Sequence, residues 1–213
     1  MIIRFNKVTP LPLDGVTHLT TQIWDRDISF DSQKRYEIDA ASGKGKSTFV
    51  NLIYGLRQDY SGDIFIDSNN IKKIKNNDWA EVRQKQFSII FQDLRLFPEL
   101  TALENVHLKY SLNEYIPLEK IEAYFEKLKI SPIANKQAKL LSYGERQRVA
   151  IIRAMVQPFS LLLMDEPFSH LDEDNAKNAA EIIATECNNR NAGFIVTSLG
   201  GVSYFQVDET LLI

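Results

Sequence analysis

The apolar residues follow two different periods in the first third of the chain. Before residue 40, four segments rich in β-branched and aromatic residues alternate partly with polar positions, a pattern typical of strands. They are MIIRFNKV, HLTTQIW, DISFD and RYEIDA. In KSTFVNLIYGL the apolar positions recur every three or four residues, which predicts a helix ending near Gly55. The segment GDIFID then predicts a further strand.

The second half of the chain is mostly helical in pattern. IPLEKIEAYFEKLKI, GERQRVAIIRAMV and EDNAKNAAEIIATECNN each predict an amphipathic helix. The continuous apolar runs SLLLM and GFIV predict strands of a parallel sheet covered on both faces. We therefore predict a single α/β domain over residues 1–213. It has a mainly parallel sheet, an N-terminal antiparallel β subdomain, and an inserted helical subdomain at about 94–157.

The composition limits which cellular compartments and which partners are expected for the protein. A length of 213 residues with 44% hydrophobic residues suits one domain with a buried core. The net charge of −3 gives no general attraction to nucleic acid. Cys187 is the single cysteine, which excludes an internal disulfide and suits a reducing compartment. Because the sequence has neither a signal-peptide core nor a run of ~20 apolar residues, we expect a cytoplasmic protein that reaches a membrane through a partner.

The stretch DAASGKGKSTF, residues 39–49, nearly matches a phosphate-binding loop. Gly45, Lys46 and Ser47 fit the pattern, whereas Ala40 stands where it begins with glycine. A predicted strand precedes the stretch and a predicted helix follows it, as a phosphate loop requires. Lys46 would reach the β- and γ-phosphates and Ser47 would bind Mg²⁺. The candidate phosphate contacts are Ser42, Gly43, Lys44, Gly45, Lys46, Ser47 and Thr48. A glycine turn before a helix is the structural alternative.

Two acids end the apolar run SLLLM. Ligands of open parallel sheets bind at the carboxyl ends of the strands, where Asp165 and Glu166 would lie. Asp165 would hold Mg²⁺ and Glu166 would orient and deprotonate a water molecule as general base. Taken alone, the pair could also cap a strand.

The segment LLSYGERQRVAIIRAM contains a Ser-x-x-Glu capping box at Ser142 and Glu145. It predicts that a helix begins after Ser142. The same geometry, with the exposed serine hydroxyl and the backbone N–H of Gly144, is also an anion site. Local physics does not separate the two interpretations.

Ser142, Gly144 and the run ERQR resemble the signature loop of ATP-binding cassette (ABC) ATPases. The resemblance covers almost the whole chain, and its elements come in the family order. They are the phosphate loop at 40–48, the lid-loop glutamine Gln92, the signature at 141–145, the acidic strand at 161–166 and the dimer loop SHLD at 169–172. The wording RLFPELTALENV is similar to exporter-type cassettes of lipoprotein release, macrolide export and cell division.

The resemblance implies a P-loop NTPase core and a mechanism. Two cassettes, expected as a homodimer, would sandwich two ATP molecules. Each site would take Lys46, Ser47, Gln92, Asp165 and Glu166 from one subunit and Ser142 with Gly144 from the other. Asp172 would lie in the loop between the sites, and Gln92 would touch Mg²⁺. An integral-membrane permease subunit would dock near residues 92–105, which places the chain on the cytoplasmic face of the membrane. Nucleic acid is not expected as a partner.

Four features depart from the family pattern. Ala40 replaces a glycine, and Glu37 with Asp39 put charges in the strand before the loop. Ser198 stands at the position of the histidine that contacts the γ-phosphate, so turnover is expected to be reduced. No aromatic residue falls clearly where an adenine-stacking ring belongs; TPLPLDGVTH offers only His18, and Trp24 is not assigned this role.

The departures keep a second hypothesis open, in which the chain is a low-turnover, nucleotide-dependent interaction module at a membrane that transports nothing. A third hypothesis is a soluble cassette of DNA repair or translation. It is disfavoured, because such a cassette is expected to carry coiled coils, a second cassette or basic arms, and the sequence shows none of these. A P-loop kinase leaves the signature segment without a role.

Overall fold

The computed structural model of the protein describes residues 1–13, 21–39, 41, 43–200 and 204–213. The strands are β1 (Ile2–Pro10), β2 (Asp27–Asp31), β3 (Arg35–Asp39), β4 (Tyr60–Ile66), β5 (Asn69–Asn70), β6 (Phe87–Ile90), β7 (Leu161–Asp165), β8 (Gly193–Ser198) and β9 (Glu209–Leu212). The α-helices are α1 (Lys46–Ile53), α2 (Asn76–Lys85), α3 (Ala102–Tyr110), α4 (Leu118–Lys127), α5 (Tyr143–Met155) and α6 (Glu173–Arg190). The strands form two sheets, one antiparallel and one parallel.

The parallel sheet has the strand order β6-β7-β8-β3-β9. Its registers pair Asp165 with Thr197 and Asp39 with Ser198. The carboxyl ends of three neighbouring strands therefore meet at one edge, where open parallel sheets bind their ligands. The prediction of a mainly parallel α/β core is confirmed.

The antiparallel sheet has the order β2-β1-β4-β5 and joins the N-terminal strands to the hairpin after α1. β1 pairs with both β2 and β4, and a bulge interrupts the second ladder between Asn6 and Thr9. Gly62 faces this bulge: a Cβ there would lie 2.3 Å from the carbonyl oxygen of Lys7. The predicted antiparallel β subdomain is present, with two strands contributed from beyond the phosphate loop.

The core lies on both faces of the parallel sheet. In β7, Leu161 and Leu163 join the cluster that contains α1, while Leu162 and Met164 join the cluster that contains α5 and α6. All four side chains have no exposed surface. Because both faces are covered, the strand is apolar at all four positions before Asp165 rather than at alternate ones.

The predicted strand over HLTTQIW is wrong in its described part, residues 21–24. The hydroxyl of Thr21 accepts hydrogen bonds from the backbone N–H groups of Ile23 and Trp24, at 3.2 and 3.1 Å. A local turn of this kind occupies donors that a strand ladder would need. Ile23 and Trp24 are nevertheless buried, which explains the apolar pattern.

Helices α3, α4 and α5 follow one another between β6 and β7. α3 begins with a capping box in which Thr101 and Glu104 exchange hydrogen bonds, at 2.8 and 3.1 Å. α4 buries Ile121, Tyr124 and Phe125 against the core. In the described part of the chain, no helix combines the length and the apolar character needed to cross a membrane.

Candidate functional site

The glycine loop connects β3 to α1 in a conformation that needs glycine. Gly43 and Gly45 have φ angles of +79° and +100°, a region that side chains rarely adopt. A Cβ on Gly45 would also lie 3.1 Å from Cδ1 of Leu13. Helix α1 begins directly after Gly45, so its free N–H groups face the loop. Ala40 and Ser42 lie outside the described residues.

A cavity of about 290 Å³, called the Lys46 cavity below, opens beside this loop. It is lined by Pro10, Pro12, Leu13, Gly43, Gly45, Lys46, Ser47, Thr48, Gln92 and Glu166. Seven of the sequence-predicted site residues therefore share one cavity although they come from three distant parts of the chain. The positive end of α1, a lysine and an acid meet in it, an arrangement that suits a phosphate and its attacking water.

Lys46 and Glu166 are the charged pair of the cavity. The Nζ atom of Lys46 lies 3.3 Å from Oε1 of Glu166 and 3.3 Å from the carbonyl oxygen of Ala41. Lys46 is 5% exposed. Glu166 has a φ angle of +49°, a left-handed conformation of a non-glycine residue. Such residues occur at functional sites where the surroundings hold them in place.

Thr197 supplies that support and was missed by the sequence analysis. Its hydroxyl donates a hydrogen bond to Oδ1 of Asp165 at 2.8 Å and accepts one from the backbone N–H of Glu166 at 3.1 Å. The carbonyl oxygen of Glu166 accepts a further bond from Gln147 at 3.3 Å. The register of β7 with β8 could have indicated Thr197, but that register is a tertiary property.

The donor set at this edge fits a magnesium ion. The hydroxyl of Ser47 lies 3.2 Å from the amide oxygen of Gln92. Burial raises the pKa of Asp165, while the hydroxyls of Ser47 and Thr197 hold it down. A hydroxyl, an amide oxygen and a carboxylate are hard ligands of the kind that Mg²⁺ takes together with phosphate oxygens. Among the described residues, no cluster of three His, Cys, Asp or Glu side chains offers another metal site.

We expect Thr197→Val, which keeps the shape of the side chain, to weaken both the fold and the site. Two buried hydrogen bonds would be lost, so the free energy of unfolding should fall by about 2 kcal/mol and turnover by roughly tenfold. Thermal unfolding and an ATPase assay would measure the two effects. Thr185→Val, at an exposed position of α6, is the control. Unchanged turnover in Thr197→Val would show that Glu166 needs no support from β8.

The start of α5 carries the predicted capping box. The backbone N–H of Ser142 donates to Glu145 at 2.7 Å, and the N–H of Glu145 donates to the Ser142 hydroxyl at 3.3 Å. The first of these bonds lowers the pKa of Glu145. Gly144 touches the dimer loop, because a Cβ there would lie 2.9 Å from the carbonyl oxygen of His170. Asp172 caps α6 through the N–H of Asn175 at 2.8 Å.

Ser142, Gly144 and Asp172 are not among the described residues that line the cavity beside Lys46. Ser142 and Asp172 are exposed. Within one chain, therefore, Ser142, Gly144 and Asp172 form a second group of predicted site residues, apart from those that line the cavity.

The acidic residues before the loop contact the last residue of β8 and the backbone just after it. Oε1 of Glu37 accepts a 2.8 Å hydrogen bond from the hydroxyl of Ser198, and both side chains are buried. Oδ1 of Asp39 accepts a 2.9 Å hydrogen bond from the backbone N–H of Gly200. Glu37, Asp39 and Ser198 are therefore parts of one contact between neighbouring strands. Lys44 lies outside the Lys46 cavity, in an exposed depression shared with Asp39 and Leu199.

Trp24 packs beneath the glycine loop instead of lining the cavity. It is 1% exposed, and its ring lies 6.5 and 6.1 Å from the rings of Phe5 and Phe49. The apolar wall of the cavity is formed by Pro10, Pro12 and Leu13. His18, the other aromatic candidate, lies outside the described residues.

Comparisons with known proteins agree with this geometry. Residues 25–169 match the family described as ABC transporter. The chain is 37% identical to the lipoprotein-releasing system ATP-binding protein LolD of Buchnera aphidicola subsp. Schizaphis graminum, over 76% of this chain and 72% of that protein. It is 32% identical to LolD of Coxiella burnetii, over 100% of this chain and 92% of that protein.

A solved structure extends the agreement to the fold. The dimeric structure of MJ0796, a bacterial ABC transporter cassette, superposes with a TM-score of 0.75 and 26% identity. The match covers 92% of this chain and 87% of that one.

The matched segment includes the glycine loop, Gln92, the start of α5 and the acidic pair, whereas Asp172 and the cavity wall of Pro10, Pro12 and Leu13 lie outside it. The two relatives are named as ATP-binding proteins of a lipoprotein-releasing system, and the matching family is described as ABC transporter. Both findings favour the transporter interpretation over that of an interaction module. The chain belongs to the ABC transporter family and is an ATPase subunit that resembles the LolD proteins.

Proposed function

We propose that this chain binds ATP with Mg²⁺ at the Lys46 cavity and drives a membrane permease by ATP-dependent closure of a dimer. The observation that carries the proposal is the meeting of Lys46, Ser47, Gln92 and Glu166 in one cavity at the N-terminus of α1. We infer that the whole chain, with its helical insert at about 94–157, acts as one nucleotide-binding domain.

Each side chain of the cavity has a separate task in this proposal. Lys46 and the N–H groups at the start of α1 neutralise the β- and γ-phosphates. Ser47, Gln92 and Asp165 would hold the metal, which when bound would neutralise the negative charge that develops during the reaction. Glu166 orients the attacking water and accepts its proton. Thr197 keeps the two acids in place.

The second group of site residues works across a dimer. Ser142 and Gly144 lie at the exposed start of α5, where backbone N–H groups and a hydroxyl favour an anion. They do not share the cavity of their own chain, so a second copy is the source of the phosphate they would contact. We infer a head-to-tail homodimer with two ATP molecules between the subunits and Asp172 in the joining loop.

A groove between β6, α3 and α5 suits the permease. It encloses about 370 Å³ and is lined in part by Phe91, Phe97, Leu108, Lys109 and Arg153. Phe97 is 57% exposed and Leu108 is 47% exposed. Burial lowers the pKa of Lys109 and lowers that of Arg153 to about 10. An apolar segment docking here would place the chain on the cytoplasmic face of the membrane.

Titration calorimetry with ATP tests the nucleotide site. We expect saturable binding with Mg²⁺ and weaker binding in EDTA, together with phosphate release at a measurable rate. Failure of MgATP to bind at millimolar concentrations would refute the proposal. Isolation of the chain with an integral-membrane protein, and faster hydrolysis in that complex than alone, would test the role of the permease.

The role of Ser198 is tested by Ser198→Ala. A hydroxyl has one proton, and that of Ser198 is donated to Glu37, so it is not free to bond to a phosphate. We expect the substitution to change turnover by far less than the ~10²–10⁴-fold effect of a general acid or base. The free energy of unfolding should fall by about 1–2 kcal/mol, because Glu37 loses a buried partner. A hundredfold loss of turnover at unchanged ATP affinity would instead support the catalytic role that the resemblance implies.

A further inference from the structure

Both ends of helix α5 contact the loop that follows β6. This loop contains Gln92, Leu94 and Arg95 and is called the Gln92 loop below. Near its start, the hydroxyl of Tyr143 donates a 2.6 Å hydrogen bond to the backbone carbonyl oxygen of Gln92. Near its end, the guanidinium of Arg153 donates to the carbonyl oxygens of Leu94 and Arg95, at 2.5 and 2.6 Å. The loop is therefore bound to α5 through three of its own backbone carbonyls.

The backbone of this loop is held in an uncommon conformation. Leu94 and Arg95 have φ angles of +61° and +46°, and both carry a side chain. Residues with a side chain keep this left-handed conformation where surrounding contacts hold the backbone in place. Arg153 supplies these contacts at Leu94 and Arg95, whereas Tyr143 contacts the backbone of Gln92.

Tyr143 also touches the dimer loop. Its ring centroid lies 4.1 Å from that of His170, with an angle of 53° between the ring planes. The guanidinium of Arg146 lies 5.2 Å from the same ring. A single side chain, directly after Ser142 and directly before Gly144, thus contacts both the Gln92 loop and the dimer loop.

The hydrogen bonds continue from Gln92 to the phosphate loop. The amide oxygen of Gln92 lies 3.2 Å from the hydroxyl of Ser47, and its backbone oxygen is the acceptor of Tyr143. The path from Ser47 through Gln92 to Tyr143 joins the chain's own phosphate loop to the start of α5. In the proposed dimer those two ends belong to different ATP sites.

We propose that Tyr143 is a positioning residue that fixes Ser142 and Gly144 relative to Gln92, and so couples the two ATP sites of the dimer. This inference rests on the proposed function, because it needs the sandwich in which Ser142 meets the ATP of a second copy. Without the Tyr143 hydroxyl, the start of α5 keeps its hydrogen bonds through Gln147 and Arg148 but loses the one to Gln92. More of its freedom relative to Gln92 is then lost when the dimer closes. Closure then needs more ATP, while ATP binding to one subunit is unaffected.

The test uses Tyr143→Phe in a Glu166→Gln background, where hydrolysis does not deplete ATP. Light scattering after size exclusion measures the ATP concentration at half-maximal dimer formation, and calorimetry measures MgATP binding under monomeric conditions. We expect the first to rise roughly fivefold, the effect of one hydrogen bond, with the second unchanged. His170→Ala, which removes the ring contact and keeps the hydroxyl, should shift dimer formation in the same direction by less.

The control is Tyr110→Phe. Tyr110 also packs against a histidine, with 5.8 Å between its ring centroid and that of His107, and its hydroxyl has no hydrogen bond within the described residues. We expect no shift for this variant. Dimer formation that is equal in Tyr143→Phe and its parent, or monomer binding that weakens as much as dimerisation, would overturn the inference alone. Failure of the Glu166→Gln parent to dimerise would overturn the proposed function, and the inference with it.

Discussion

Glu166→Gln is expected to reduce ATP hydrolysis by roughly 10²–10⁴-fold, the range of a lost general base. The amide keeps the shape of the carboxylate but does not accept the proton of the attacking water. It also removes a negative charge 3.3 Å from Lys46, in the cavity where the phosphates would lie. ATP-bound subunits should therefore accumulate as a dimer. Phosphate release and size exclusion with ATP measure the two effects.

Glu81→Gln is the matched control for this substitution. Glu81 is also paired with a lysine, at 2.7 Å from Lys85, but both side chains are exposed on α2. We expect its turnover to equal that of the parent chain. A Glu166→Gln chain that binds ATP and stays strictly monomeric would contradict the sandwich, and one that hydrolyses ATP at the parental rate would remove Glu166 from catalysis.

Lys46→Met is expected to weaken MgATP binding by roughly 10- to 100-fold. A hydrogen bond to a charged group contributes about 1.5–3 kcal/mol, and methionine keeps the length of the side chain without its charge. The effect should fall mainly on affinity, because the phosphates lose a cation that contacts them in the ground state as well as during reaction. Calorimetry of MgATP binding is the direct measurement.

Lys85→Met, which breaks the exposed pair with Glu81, controls for the loss of a lysine. We expect its MgATP affinity and its stability to stay within error of the parent, since exposed ion pairs contribute little. Equal affinity of Lys46→Met and Lys85→Met would show that the phosphates bind outside the Lys46 cavity. That result would contradict the assignment of the whole site.

Much of the fold was predictable because its signals are local. The apolar runs before Asp165 and through β8 identified two strands that are covered on both faces. The Ser-x-x-Glu spacing identified the start of α5, and both hydrogen bonds of the capping box are present. In each case the physical cause lies within a few neighbouring residues, so the sequence contains it.

The supports of the site were not predictable from the same signals. Thr197 lies 31 residues from Glu166 along the chain, and Ser198 lies 161 residues from Glu37. For a threonine at the end of a strand, or an acid within one, the neighbouring sequence does not predict the hydrogen-bond partner. No local pattern relates the acids at 37 and 39 to the serine at 198; the pairing of β3 with β8 brings them together.

The sequence by itself determined the family and the order of the motifs, and it predicted the residues that would bind a nucleotide, because residue type and spacing set the local chemistry. Only the tertiary structure decided which of them share a cavity, that Ser198 donates to Glu37, and that Tyr143 joins the Gln92 loop to the start of α5. The physical reason is that these are contacts between side chains and backbone groups far apart in sequence. Their partners depend on sheet register and helix packing, which local patterns do not specify.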